Sequence, residues 1–511
     1  MSQDPLATLR RAQPRPRGTF PDAMYDSEVL QPLQQAIDPL FEEAVIDVVR
    51  AHVIVLGETR AIEPTVVVRM LSGLDALPET VPFLPHHPLS GLLARTVAAT
   101  GAEAGMATAT EEIAAAAMRL TLRERMLDWA EALLALREAL REMAASNLTT
   151  LLLATSSGQV VQPSSLGHYL AGHLSHLGRT FDRLSEAYPR INQSPLGAVS
   201  GVSTAMPVRR MRDAGLLGFD GVVANTFDAI AATDVFTEPV VIVSVFATEL
   251  QRLVNDVSYW SRDDVGVLSP GDEFIHTPGA QPQRREPAVL DHLRSLLARL
   301  IAAPGTVASL LAGQQMLGSE AVRFAAWIET EAALRRASLA CRLLTGVLRT
   351  SVVNRALFAN RSHRGFSTSS ELADLLTVDL QLPVNDAHSL AEKIVVEWTQ
   401  QGGEAASLTT EFVDRIALRE IGRELGIEQE MLAKCLSPKR FVERRDAPGG
   451  PAPRAVGAGL DRVAFALRSD REWLESRRAD RSAARDRLRQ RSDEAIAEPT
   501  AILRRSTDRE S

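Results

Sequence analysis

From residue 26 to 55, apolar side chains return every three or four positions: Leu30, Leu33, Ile37, Leu40, Phe41, Val45, Ile46 and Val49. That spacing lays a single stripe along a helix. A shorter helix is predicted over 63–74, after which Pro78, Pro82, Pro85 and Pro88 break the chain around His86 and His87. Between Thr108 and Asn147 there is neither proline nor glycine. This run predicts one helix roughly 50 Å long at 1.5 Å per residue, which needs long partner helices to cover it. A turn at Ser156-Ser157-Gly158 and Pro163 precedes a helix over 164–188. Leu166, Leu170, His173, Leu177, Phe181, Leu184 and Tyr188 give that helix the alternating three-and-four spacing of a bundle seam.

Three more long helices follow. One covers 226–261 with an interruption at Pro239, one covers 288–303 and stops at Pro304-Gly305, and one covers 319–353. The simplest architecture is an all-α bundle of five long helices over 105–355. The flanks divide into a disordered stretch over 1–20, an N-terminal domain over 21–104, a smaller helical domain over 356–455 and a charged helical tail over 456–511. Within that tail, 461–491 reads as a charged amphipathic helix at a solvated or subunit edge. The last 15 residues read as disordered.

Abundant Ala, Leu and Arg with only 5% aromatics reinforce helix over sheet. A net charge of −8 with no dominant basic patch argues against a nucleic-acid partner. No apolar run reaches the length that spans a bilayer, and the Pro- and Arg-rich N-terminus lacks an apolar signal core. Cys341 and Cys435 stand far apart, which fits a reducing cytoplasm and neither a disulfide framework nor a zinc cluster. His168, His173 and His176 share one helix but spread over about 140°, too wide for one metal face. No Gly-rich phosphate loop occurs. The chain is therefore expected to be cytoplasmic, without metal or cofactor and without a membrane or nucleic-acid partner.

The candidate chemistry centres on a Pro- and Gly-broken loop, Thr277-Pro278-Gly279-Ala280-Gln281-Pro282-Gln283-Arg284-Arg285-Glu286-Pro287, which follows Asp272-Glu273-Phe274. Other segments stand in a fixed order around it. They are Gln162-Pro163-Ser164-Ser165-Leu166-Gly167-His168-Tyr169-Leu170, Arg190-Ile191-Asn192-Gln193-Ser194-Pro195-Leu196-Gly197-Ala198, Asn225-Thr226-Phe227-Asp228-Ala229 and Gly449-Gly450-Pro451-Ala452-Pro453. In this order, over roughly 30–460, the chain resembles the argininosuccinate lyases of the fumarase/aspartase superfamily.

The resemblance implies an all-α fold with smaller helical domains at both ends. Its long helices would form a 20-helix core in a homotetramer, with each active site shared between subunits. It implies a small carboxylate-containing ligand and β-elimination with C–N cleavage. Such chemistry needs a base beside a carboxylate, cations for the resulting carbanionic carboxylate, and an acid for the leaving nitrogen. The family's loop serine, the base, aligns with Pro278, which leaves Thr277 and His276 as neighbouring candidates. The family's acid histidine aligns with Ser157, between Ser156 and the retained Gln159, and the carboxylate that orients it aligns with Asp291. A Ser-Arg-Asn-Asp segment that grips substrate aligns with Ala109-Thr110-Glu111-Glu112. Arg284 matches the loop lysine with Arg285 beside it, and Arg210 and His87 match two further pocket positions. Catalytic candidates are thus Ser157, Thr277, His276 and Asp291. Binding candidates are Arg284, Arg285, Arg210, Gln159, His87 and Ser156. Two functions fit: a diverged lyase acting on a carboxylate other than argininosuccinate, or a catalytically inactive structural or binding protein on the same fold.

Overall fold

The computed structural model describes residues 22–78, 89–101 and 108–503. The expectations for residues 1–20, for the break around His86 and His87 and for residues 504–511 lie outside the described residues. The fold is all-α, as the periodicity predicts. Helices α1 (Gln31–Glu58), α2 (Pro64–Asp75) and α3 (Ser90–Thr100) precede the long helix α4 (Thr110–Ala145). After a hairpin of β1 (Leu151–Ser156) and β2 (Gln159–Ser165) come α5 (Leu166–Ile191), α6 (Arg210–Leu216) and α7 (Thr226–Ala231). The bundle is completed by α8 (Asp234–Trp260), α9 (Ala288–Leu311) and α10 (Glu320–Thr350), and α11 (Arg355–Ser362) follows it.

Side-chain pairs fix the directions. Trp327 Nε1 donates to Thr121 Oγ1 at 3.1 Å, and Arg125 Nε donates to Glu331 at 2.9 Å. Both helices advance by four residues between the two pairs, so α4 and α10 run parallel. Near the start of α4, Arg119 donates to the carbonyls of Arg190 and Ile191 at the end of α5, so α5 runs back. Along α8, Glu249 faces His176 and Asp256 faces Tyr169, which sends α8 forward again. The bundle therefore has two ends. One holds the hairpin, the 272–286 loop and the C-terminus of α10. The other holds residues 108–112, the 194–210 turns and the N-terminus of α10.

Local signals misplace several boundaries. The stretch around Ser156-Ser157-Gly158 is more than a turn: it joins two paired strands, with Leu151 opposite Ser165 and Ser156 opposite Gln159. The break in 226–261 falls at Ala232–Thr233, and α8 carries Pro239 in its second turn. Thr330 Oγ1 of α10 donates to the Phe236 carbonyl beside it. Likewise α9 runs through Pro304 to Leu311, where Ser244 of α8 donates to the Ile301 carbonyl at 3.1 Å. Packing of the apolar faces outweighs the local cost of each proline. By length and mean hydropathy α9 is also long and apolar enough to cross a membrane, contrary to the expectation that no apolar run reaches that length. Its Leu293, Leu297, Leu300 and Val307 are buried in the bundle.

Residues 366–436 build a second core around Leu372, Leu376, Leu390, Ile394, Phe412, Ile416 and Leu432. The charged segment after it is an amphipathic helix with one face packed on the bundle. Helix α12 (Pro453–Ala497) lies along α4, α5 and the N-terminal helices. Leu460, Leu467, Leu474 and Leu488 are buried at heptad spacing. Arg481 takes the missing heptad position and pairs with Glu124, while Arg491 pairs with Glu58. A narrow apolar seam with ion pairs on both sides buries what composition alone assigns to solvent. Residues 499–503 are not disordered. They form a 3-10 turn that puts Ile502, fully buried, against α1. A Cβ on Gly57 would stand 2.7 Å from Ile502, so the close approach needs glycine.

Candidate functional site

The hairpin tip is a two-residue turn. Ser157 (φ 51°) and Gly158 (φ 75°) both take the left-handed region, as a type I′ connection requires. The turn exposes Ser156, Ser157 and Gln159. A bulge between Leu153 and Thr155 adjusts the register behind it. Among the described residues the Ser157 hydroxyl has no hydrogen-bond partner that would make it an acid at neutral pH.

The 272–286 loop stands at the same end of the bundle. Phe274 abuts Gly346, and the Gly271 N–H donates to Thr350 Oγ1 at 3.3 Å, both near the C-terminus of α10. His276 and Glu286 close the loop by exchanging backbone hydrogen bonds of 2.7 and 2.9 Å. Inside that closure the two cations are already engaged. Arg284 pairs with Glu286, and Arg285 pairs with Asp272. His276 and Thr277 are exposed. Asp291 lies on the first turn of α9 with its side chain 84% exposed, facing Arg294 at 3.5 Å rather than Ser157.

Arg210 lies at the other end. Its Nε donates to the Leu196 carbonyl at 2.8 Å and its Nη2 to the Val223 carbonyl at 2.9 Å. Desolvation lowers its pKa, with the Glu112 charge opposing. The guanidinium clamps two turns, one of which contains Val199 and Ser203 at positive φ. A Cβ on Gly197 would meet the Arg210 side chain at 2.5 Å. His87 lies outside the described residues. The 31 residues of α10 separate the two ends by about 45 Å. One chain therefore brings Ser156, Ser157, Gln159, His276, Thr277, Arg284, Arg285 and Asp291 to one end and leaves Arg210 at the other.

Four acids do not stand out in the sequence as site residues. Glu286 and Asp272 neutralise the loop cations. The adjacency Arg284-Arg285-Glu286 is a signal for the first of these pairs. Glu112, 1% exposed, accepts the Val199 N–H at 2.7 Å and so holds the strained turn. Behind it, Asp213 is fully buried and its Oδ1 has no hydrogen-bond partner. Desolvation raises its pKa well above the ordinary value, the Glu112 and Glu58 charges add to this, and Arg212 opposes them. A raised carboxyl contributes stability below its unfolded pKa that is lost as pH rises through the folded value. Asp213→Asn removes this loss. Its melting temperature is expected to exceed that of the wild type at pH 8, by a margin that shrinks toward pH 4. A margin independent of pH would count against the assignment.

A cavity of about 810 Å³ opens at the hairpin end of the bundle, between the hairpin, α5, the end of α8, α11 and α12. No predicted site residue lines it.

A bundle of long helices with a cation-bearing loop at one end and a clamped turn at the other defines a class that the comparisons identify. The family described as Lyase matches residues 89–300. Argininosuccinate lyase of Halobacterium salinarum is 30% identical over 443 residues, covering 84% of this chain and 89% of that protein. The enzyme of Methanothermobacter thermautotrophicus is 27% identical over 445 residues, covering 84% and 94%. Among solved structures, EDDS lyase in complex with formate is similar with TM-score 0.82 at 26% identity, covering 94% of this chain and 97% of that one. An EDDS lyase variant with bound fumarate gives TM-score 0.83. The chain belongs to the argininosuccinate lyase family of the fumarase/aspartase superfamily.

Proposed function

We propose that this protein is a diverged carbon–nitrogen lyase. It joins an amine to, or eliminates it from, a fumarate-like dicarboxylate and does not use argininosuccinate. The observation that carries this is the loop, which keeps a doubled cation, Arg284 and Arg285, while Pro278 and Gly279 stand where the resemblance puts serines. Arg284 and Arg285 suit a carboxylate, and a substrate would displace Glu286 and Asp272 from them. The formate and fumarate in the EDDS lyase structures, molecules of this chemistry, support the reading.

The site is completed between subunits of a homotetramer, because Arg210 and the loop are separated by the length of α10. Val241, Val245, Ile301 and Leu339 lie exposed on α8, α9 and α10, an apolar surface suited to partner helices. The buried thiols Cys341 and Cys435, the latter with its pKa pushed up to about 12 by desolvation, accord with a cytoplasmic location. The second reading, an inactive structural or binding protein, draws on the resting ion pairs that occupy both loop cations and on the exposed, unassisted Ser157.

The test is addition in the synthetic direction. Purified protein, expected to scatter light as four 55.5 kDa chains, is incubated with fumarate and a panel of diamines and amino acids, and loss of fumarate absorbance is followed. The proposal expects at least one amine to consume fumarate. No consumption with any amine favours the second reading, and a mass near one chain at micromolar concentration contradicts the shared site.

A further inference from the structure

The 810 Å³ cavity takes no part in the proposed carboxylate site, yet it is built in a specific way. Its aromatic wall is continuous. Tyr169 meets Trp260 edge-on at 5.0 Å between centroids, and Trp260 meets Phe358 at 5.9 Å. Glycines of α5 and α12 border the same space. A Cβ on Gly172 would have nothing within 4 Å, and one on Gly459 would meet only Arg462 Nη2, at 3.9 Å. Space is therefore left open where side chains could have filled it.

The polar groups around this space are unbalanced. Arg137, Arg361 and Arg462 line it, and Asp256 is the one carboxylate among the lining residues. That carboxylate already accepts the Tyr169 hydroxyl. Arg361 donates to Tyr259 Oη at 3.2 Å. Arg137 is 2% exposed and pairs through Nη1 with Asp470, but its Nε has no hydrogen-bond partner. A buried N–H without an acceptor is costly unless a ligand supplies one. The cavity volume is that of a small-molecule site, mostly apolar with a few convergent polar groups.

We propose that this cavity binds a planar aromatic carboxylate, its ring against Trp260, Tyr259 and Phe358 and its carboxylate at Arg137. The aromatic wall selects a flat ring through edge and face contacts. The excess of arginine selects an anion over a neutral or cationic ring. None of the residues assigned to the fumarate-like site lines it, and the proposal does not depend on whether the protein is a lyase.

The probe is 2-naphthoate, titrated into the full-length protein with tryptophan fluorescence as readout. Saturable quenching is expected, and Trp260→Phe should reduce it. 2-Naphthalenemethanol, the same ring without charge, should bind about tenfold or more weakly. Gly459→Leu extends into the open space and should abolish binding, while its melting temperature stays at or above that of the wild type, since leucine favours helix over glycine. Arg137→Lys keeps a charge for Asp470 but loses the Nε donor, and should weaken naphthoate several-fold while leaving the alcohol unaffected. Saturating fumarate should not displace naphthoate. Equal affinity for the alcohol, unchanged binding in folded Gly459→Leu, displacement by fumarate, or no quenching at millimolar naphthoate would each overturn the proposal.

Discussion

Purified protein given argininosuccinate will release fumarate at least about a thousandfold more slowly than the enzyme median of about 10 s⁻¹. The expectation rests on three replacements that the resemblance implies. Pro278 has neither a hydroxyl to become a base nor an N–H to bind a carboxylate. The resemblance puts Ser157, at the exposed tip of a type I′ turn, where the family has its acid histidine, and Asp291 of the same chain points to solvent and Arg294 rather than to it. The Ala109–Glu112 segment lacks the arginine and asparagine that grip substrate, and Glu112 instead holds Val199. Loss of a general acid or base costs about 10²–10⁴ each, and losses within one unit do not simply multiply, so the thousandfold figure is a floor. A fumarate-release assay monitored by absorbance decides the matter. Turnover near the median would mean that other groups supply the base and acid.

The bundle was legible because its signals are long. Five helices with three-and-four spacing, and a stretch from Thr108 to Asn147 free of proline and glycine, leave little alternative. What was not legible depends on neighbours remote in sequence. Pro239 and Pro304 read as breaks, but Thr330 and Ser244 on adjacent helices supply donors beside them. The apolar marks of α12, one per heptad, show in its sequence, but their partners lie more than 300 residues upstream, as with Arg137 and Asp470. The hairpin could have been found, because Ser157-Gly158 sits between two short apolar runs. The site was legible as a set of residue types and not as geometry. The resemblance placed Arg210 and Arg284 in pockets shared between subunits, and only the structure shows that α10 holds the two at opposite ends of one bundle.

Asp470→Ala will lower the stability of the protein by about 3 kcal/mol, the lower end of the cost of breaking a buried ion pair. Arg137 is almost fully buried on α4, with Asp470 on α12 as its counter-ion and Phe181 under its guanidinium at 5.6 Å. Removing the acid leaves a buried cation uncompensated. Nearby, Trp473 stands edge-on to Phe181 and Tyr188, so loosening α12 at this point also loosens α5. The double variant Arg137→Met/Asp470→Leu should recover most of the loss, because apolar groups of similar size replace both charges. Urea denaturation of the three proteins measures this. A loss under about 1 kcal/mol in the single variant would place the pair among surface bridges and return α12 to the role of a solvated edge.

The central claim is that the loop arginines hold a dicarboxylate, and calorimetric titration with fumarate tests it most directly. Wild type is expected to bind fumarate, and Arg284→Ala to bind it more weakly by about 1.5–3 kcal/mol, the range for hydrogen bonds to a charged group. Glu286→Gln, which frees Arg284 from its resting partner, should bind it several-fold more tightly, within the roughly 1 kcal/mol span of an exposed pair. Equal affinity in wild type and Arg284→Ala, or no heat with fumarate, succinate or aspartate at millimolar concentration, would contradict it.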